Sequence, residues 1–489
     1  MTPSSVAFLF FCVLIILLPA QHGHAASSHA SYKLGSRQIF FKTPSKSPAN
    51  SKQASTATTC SSFANGLANN KLPVVHRQSP CSPLHGLPSL TAADVLRRDT
   101  SLIRRRFALQ SSAVSAPASA PAPSPAPTII PVNGSSDGRT LTGALDYSVL
   151  VSYGTPEQQF PVFLDTFLDV SLLRCKPCAS GSNSCDPAFD TSRSTTFTNV
   201  PCGSPDCPTT NCSGGSVCPY DNSIFSIEGT FAQDVLTVAP SAAVHDFTFV
   251  CVDVDHPSDD MPEAGILDLS RDRNSLPSRL AGPATFSYCL PHSPSSPGFL
   301  SLGGDATVGE DNRTSHAPLV SNGHPELANM YFIDLVGMSL GGDDLPIPTG
   351  TFGNASTLLN VGTTFTMLAP DAYTPLRDAF QEEMAQYNRS SPGFAGFDTC
   401  YNFTGLDVIQ VPLVEFKFGN GESFLIDGDQ MLYFDDPAVG PFGMTCLAFS
   451  ALKDGGGVLS AVIGSYTQVS TEVVYDVAAG KVSFIPGSC

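Results

Sequence analysis

From Leu141 onward the apolar residues fall into short alternating runs, rich in Val, Phe and Thr and separated by Gly- and Pro-containing turns. Tyr147-Ser148-Val149-Leu150-Val151 and Val473-Val474-Tyr475-Asp476-Val477 are examples, and both predict β-strands. Helical periodicity is scarce. It is clearest from Pro370 to Tyr387, where Tyr373, Leu376, Phe380 and Met384 share a face. A second stretch, Leu90 to Leu109, carries Leu and Val at helical spacing between arginines, with Thr91 or Asp94 as its start. Residues 26–60, rich in Ser, Ala and Lys, read as poorly ordered, and Ala113 to Pro127 reads as a semi-rigid extended linker of Ala, Pro and Ser. The pattern predicts a mostly β body beginning near Leu141 and preceded by a leader. Polar loop residues gather from Gly304 to Ala328 before Tyr331-Phe332-Ile333 resumes strand character, which suggests lobes at 141–315 and 316–489.

One pattern occurs twice. The apolar run Phe160 to Leu164 leads into Asp165-Thr166-Phe167, and Leu358-Leu359 leads into Asn360-Val361-Gly362-Thr363-Thr364. A second apolar run follows each, Gly265-Ile266-Leu267-Asp268 and Ala461-Val462-Ile463-Gly464. The spacing from Asp165 to Asp268 is 103 residues and from Asn360 to Gly464 it is 104. Two halves of matching spacing, each delivering a polar residue from a strand end, describe a duplicated β-lobe with a shared cleft.

This arrangement resembles the pepsin-like aspartic proteases, whose lobes each supply one Asp. Further words narrow the resemblance to the plant nepenthesin- and nucellin-like branch. They are Val75-His76-Arg77, Pro80-Cys81-Ser82-Pro83-Leu84, Tyr153-Gly154-Thr155-Pro156, Cys175-Lys176-Pro177-Cys178, Phe286-Ser287-Tyr288-Cys289-Leu290, Phe397-Asp398-Thr399-Cys400-Tyr401 and Thr445-Cys446-Leu447-Ala448-Phe449. The resemblance implies a bilobal, mostly antiparallel β fold with a central cleft, and a disulfide between Cys400 and Cys446. It also implies a catalytic pair at Asp165 and position 360, needing no cofactor or metal. Such a pair works because two close carboxylates share one proton, one acting as acid and the other as base.

Four departures weaken that expectation. Asn360 stands where the second Asp belongs, and an amide cannot act as general base. Phe167 replaces a Gly, and its ring is expected to distort the turn or fill the catalytic space. The flap that should carry Tyr-Gly-Asp-Gly-Ser is about three residues shorter; after Cys218-Pro219-Tyr220 it runs through Asp221 to Ser226 without that Tyr. Asp268 replaces the Gly of the second apolar run and should set an extra carboxylate at the base of the first loop. Leu172 holds the place of a usual Trp, and the chain has none.

Charge and cysteines bear on compartment and partners. The net charge of −18 divides unevenly. Residues 26–140 contain 13 Lys and Arg against 3 acidic residues, and residues 141–489 contain 12 against 40. Nucleic-acid binding by the acidic part is disfavoured, since phosphate contacts need basic surface. The basic stretch suits a prosegment that neutralises the body until removal. Residues 1–25 read as a secretory signal with an apolar core from Val6 to Leu18, too short to span a membrane. Twelve cysteines between Cys175 and Cys489, and six Asn-x-Ser/Thr sequons, fit an exported, disulfide-bonded protein. In that setting Cys175-x-x-Cys178 reads as part of a disulfide framework rather than as a zinc or redox pair.

The expectation is a secreted monomer of the apoplast or cell wall, or else the vacuole, without membrane attachment once the signal is gone. It would be a pseudoprotease binding a peptide, protein or carbohydrate in its cleft. The xylanase-inhibiting proteins of cereals, which share the implied fold, offer a precedent, although their inhibitory loops are not recognisable here. The alternative is an active aspartic endopeptidase with an altered Asp/Asn site.

Overall fold

The computed structural model describes residues 29–32, 38–42, 60, 71–85, 91–111, 147–177, 187–209, 212, 216–222, 227–239, 242–252, 264–280, 285–292, 296, 298–303, 313–353, 356–435, 440–453 and 458–489. Residues 1–25, read above as a secretory signal, and the Ala/Pro/Ser stretch from Ala113 to Pro127 lie outside them.

The duplication expected from the sequence is present strand for strand. In the first half Gln158–Asp165 runs parallel to Gly265–Asp268, which is antiparallel to Ser171–Lys176, itself parallel to Ala242–Val252. In the second half Thr357–Leu359 runs parallel to Ala461–Ile463, which is antiparallel to Thr366–Leu368, itself parallel to Phe449–Ala451. The runs entering both loops are buried on both faces, which explains why they read as continuous apolar stretches rather than as alternation.

One sheet ties the halves together. Ser315–Val320, Lys481–Pro486, Thr471–Asp476, Thr285–Cys289 and Gly298–Leu302 lie side by side, each paired antiparallel with the next. An aromatic stack joins this sheet to Tyr331, which precedes the strand Phe332–Ile333. Phe286 lies flat on Tyr475 at 4.6 Å, Tyr331 meets Tyr475 edge-on at 4.5 Å, and the Tyr288 and Tyr475 hydroxyls are 3.0 Å apart.

The leader differs from its sequence expectation. Within residues 26–60, Gln38–Lys42 forms a strand paired with Val408–Pro412, burying Ile39 and Phe41 on alternate positions. Lys71–His76 continues the central sheet, pairing with Gly298–Leu302 on one side and Tyr147–Tyr153 on the other. Ala92–Ser111 is a helix, and Thr91 is its start: the Thr91 hydroxyl accepts from Asp94 N at 3.2 Å and donates to the Asp94 carboxylate. Packed β structure therefore begins before Leu141.

The helix Pro370–Glu383 buries Ala372, Tyr373, Leu376 and Phe380 as its periodicity predicts, but stops short of Tyr387. Met384 caps it, its N–H turned onto Phe380 O. Cys400 and Cys446 face each other in register on adjacent strands and are bonded, as the resemblance implied. Cys175 pairs with Cys251 rather than Cys178. The other described bridges are Cys60–Cys81, Cys202–Cys212, Cys207–Cys218 and Cys289–Cys489. No helix among the described residues is long and apolar enough to cross a membrane.

Candidate functional site

Asp165 and Asn360 end related strands and occupy related environments. Asp165 Oδ1 accepts from Phe167 N at 2.5 Å and Leu168 N at 2.8 Å. Asn360 Oδ1 accepts from Gly362 N at 3.0 Å, the same two-residue step. Because a backbone N–H can only donate, the amide is fixed with its oxygen inward, and Nδ2 donates to Thr363 Oγ1 at 2.8 Å. Asn360 thus satisfies the polar contacts of its loop while offering no proton that titrates.

The two loops touch. Thr166 Oγ1 donates to Asn360 Oδ1 at 3.0 Å and accepts from Val361 N at 3.2 Å. Gly362 lies so close to Asp165 that a side-chain carbon there would overlap Asp165 Oδ2. The position related to Thr166 by the repeat is Val361, which is buried and has no hydroxyl to return the bond. The clasp between lobes is therefore one-sided. Sequence reasoning passed over this, although the apolar residue at the second position of Asn360-Val361-Gly362 was its visible sign.

Three departures can now be placed. Phe167 does not distort the turn: its own N–H and that of Leu168 both donate to Asp165, and its φ is not among the positive values that would demand glycine. Its ring is buried 5.9 Å from Phe107 of the leader helix, with the Arg106 guanidinium 5.7 Å from the ring centre. Asp268 is the lateral neighbour of Asp165 in the parallel pair, as expected of a carboxylate at the base of that loop. It is fully buried and turned onto Ser270, whose N and Oγ donate to it at 2.8 and 3.1 Å. The flap hairpin pairs Pro219–Asn222 with Ile227–Ala239, and its tip falls outside the described residues. Tyr220 packs on Phe231 at 5.5 Å and receives Asn222 Nδ2 at 3.1 Å, so it belongs to the hairpin's own packing.

A further carboxylate enters from the leader. Asp99 is buried, paired with Arg98, and its Oδ2 accepts from Thr364 N at 2.7 Å in the second loop. The sequence held a sign of it: Asp99 interrupts the apolar stripe Val95, Ile103, Phe107 at four-residue spacing.

Burial is the main electrostatic influence on these groups. It pushes Asp165 up to about 6, against the pull of its two N–H bonds, with the Asp169 and Asp99 charges adding to the rise. Burial likewise drives Asp268 well above the carboxylate range and raises Asp99. A carboxyl whose value is raised on folding stabilises the fold below its unfolded value of 3.8 and loses that contribution as pH rises through 6. Asp165→Asn keeps the acceptor for both N–H groups and removes the charge. Relative to wild type it should gain up to about 3 kcal/mol at pH 7 and nothing near pH 3, at ~1.4 kcal/mol per unit. Urea titrations of both proteins at the two pH values check this; an equal difference at both would rule it out.

The xylanase inhibitor N-terminal family model matches residues 147–304, and the xylanase inhibitor C-terminal model matches 330–486. The chain is 31% identical over 432 residues to aspartyl protease AED1 of Arabidopsis thaliana, covering 86% of this chain and 87% of that protein. It is 30% identical over 361 residues to aspartic proteinase nepenthesin-2 of Nepenthes gracilis, covering 70% and 78%. The crystal structure of edgp superposes on 72% of this chain and 92% of its own with a TM-score of 0.58 at 20% identity. That likeness bears out the bilobal pepsin-like fold.

Proposed function

We propose that this chain, which belongs to the plant branch of the pepsin-like aspartic protease family, is a member that no longer hydrolyses peptides and uses its inter-lobe cleft to bind. The observation that carries this reading is Asn360. Its amide is fixed by Gly362 N, Thr166 Oγ1 and Thr363 Oγ1, so Asp165 has no ionisable partner on the opposite loop. Without that partner, the acid and base roles that a shared proton allows fall on one buried carboxyl. Phe167 and the flap sequence add to the impairment.

In this reading residues 1–25 are a secretory signal, 26–140 a leader, and 141–315 and 316–489 the two lobes of an exported monomer. Its ligand is a peptide, protein or carbohydrate, and no metal or cofactor is needed. The competing reading, an active endopeptidase, draws on the names of its relatives and on Asp99, a second carboxylate close enough to add to the rise of Asp165. Purified protein, intact and cut in the linker, should give no pepstatin-sensitive hydrolysis of a mixed peptide library between pH 3 and 4. Sustained turnover blocked by pepstatin would overturn the proposal.

A further inference from the structure

We infer that the second lobe carries a sugar site of its own, a cavity at the far end of its strands from Asn360 that holds one neutral sugar ring. It stands apart from the two loops, and its occupancy does not depend on whether the cleft binds or hydrolyses.

The strands Thr357–Leu359 and Ala461–Ile463 run parallel, and the residues just before them, Ser356 and Ser460, meet at the strand starts. Asn360 follows the first of these strands at its other end, roughly 13 Å from Ser356 at about 3.3 Å per residue. Around the serine pair lies a cavity of about 350 Å³, within the range of roughly 300–1,000 Å³ that holds small molecules. Asn322, His324, Thr351 and Asp371 supply its polar walls, and Val458 and Leu459 an apolar patch. No Lys or Arg lines it.

The fold leaves two donors over at this place. Ser356 Oγ and Ser460 Oγ are 2.5 Å apart, in residues only 6% and 5% exposed. Two hydroxyls that face each other use one proton between them. The second O–H is spare, and among the described residues no acceptor takes it. The helix Pro370–Glu383 begins at the cavity wall, with no side-chain cap from Ala369. Ala369 N donates to Ser460 O at 2.7 Å, Pro370 has no N–H, and Ala372 N turns back to Ala369 O at 2.9 Å. Asp371 N is then the first-turn donor without an acceptor among the described residues.

These groups select a neutral polyol. The Asp371 carboxylate lines the cavity and Glu326 lies 3.5 Å from His324 Nδ1, so an anion meets negative charge and no basic partner. An ammonium fares no better, because the spare hydroxyl proton and Asp371 N–H are donors and it offers them no acceptor. A sugar hydroxyl does both: it accepts from the serine pair or from Asp371 N and donates to the Asp371 carboxylate. The C–H face of the ring suits Val458 and Leu459. The sequence brings a sugar to the same place. Asn354-Ala355-Ser356 is one of the six sequons, and Gly353 and Ser356, on either side of Asn354, both line the cavity. The ring has two possible sources, a free saccharide or a glycan carried by Asn354.

The probes are methyl β-D-glucopyranoside and N-acetylglucosamine, with glucosamine and glucuronate as charged controls. Saturation-transfer NMR at neutral pH follows each on the full chain, before and after enzymatic removal of N-glycans. After removal both neutral probes should show transfer. Thr351→Tyr, which sets a ring across the mouth, should abolish it. Asp371→Asn should weaken binding about tenfold, as the loss of a hydrogen bond to a charged group does. Both variants should keep the wild-type melting temperature. The sample before removal tells the sources apart. Transfer there means a free saccharide; no transfer, with a glycan on Asn354 found by mass spectrometry, means the chain's own glycan. No transfer without a glycan on Asn354 would overturn the inference. So would silence of both neutral probes after removal, or transfer that neither variant reduces. A stronger response from glucosamine or glucuronate than from the neutral probes would overturn the ligand class.

Discussion

Asn360→Asp by itself leaves the protein without acid proteolysis above the wild-type background. The substitution should be well accepted locally. Oδ1 keeps its bonds from Gly362 N and Thr166 Oγ1, and the Thr363 hydroxyl, which now accepts from Asn360 Nδ2, can turn its proton to donate to the new oxygen. A dyad would then exist in composition, with one carboxyl held protonated by the other. What it would lack is access and positioning. Phe167 and Phe107 close one side of the first loop, and Asp99 already holds Thr364 N of the second. The hydroxyl clasp between the two loops remains one-sided, made by Thr166 and not returned by Val361. General acid–base assistance is worth roughly 10²–10⁴-fold, and it is realised only where substrate and water can be placed. Asn360→Asp with Phe167→Gly should give slight activity at most, and a grafted Tyr-Gly-Asp-Gly-Ser flap should be needed for more. Pepstatin-sensitive hydrolysis of a peptide substrate at pH 3–4 is the measurement. Strong turnover from the single variant would mean that Asn360 was the sole lesion.

What the sequence revealed and concealed follows from the range of the interactions. The strands entering the two loops, the equal spacing of the halves and the helical face of Tyr373, Leu376 and Phe380 are local patterns, and all were legible. Cys400–Cys446 was legible through resemblance, since residue spacing cannot pair cysteines. The leader's place was hidden because the partners of Val74 are Gly298 and Val149, and nothing in six residues of strand names partners that distant. Phe167 was legible as an anomaly. Its consequence was not, because the ring that receives it belongs to a helix read as part of a removable segment. The expected distortion of the turn failed for a simple reason: space rather than φ is what glycine would provide at that position, and the leader helix supplies the wall that a phenylalanine needs.

Phe167→Gly, which restores the family's residue, should therefore weaken the protein rather than repair it. The ring is about 4% exposed and bounded by Phe107 and Arg106 on the leader and by the apolar cluster of Leu168 and Val170 in the first lobe. Removing a buried phenylalanine leaves a cavity and costs about 3–5 kcal/mol, and glycine adds roughly 0.5–1 kcal/mol through backbone freedom in the unfolded chain. Part of that loss is the union of leader and body. A double-mutant cycle of Phe167→Ala with Phe107→Ala separates it, because removing either ring already removes their mutual contact. The coupling should be about 1 kcal/mol, the scale of an aromatic pair beyond simple burial. Denaturant unfolding of the four proteins with disulfides intact gives both quantities. A Phe167→Gly protein as stable as wild type, or a cycle with no coupling, would show that the ring does not hold the helix, and the glycine would then be free to return without consequence for the leader.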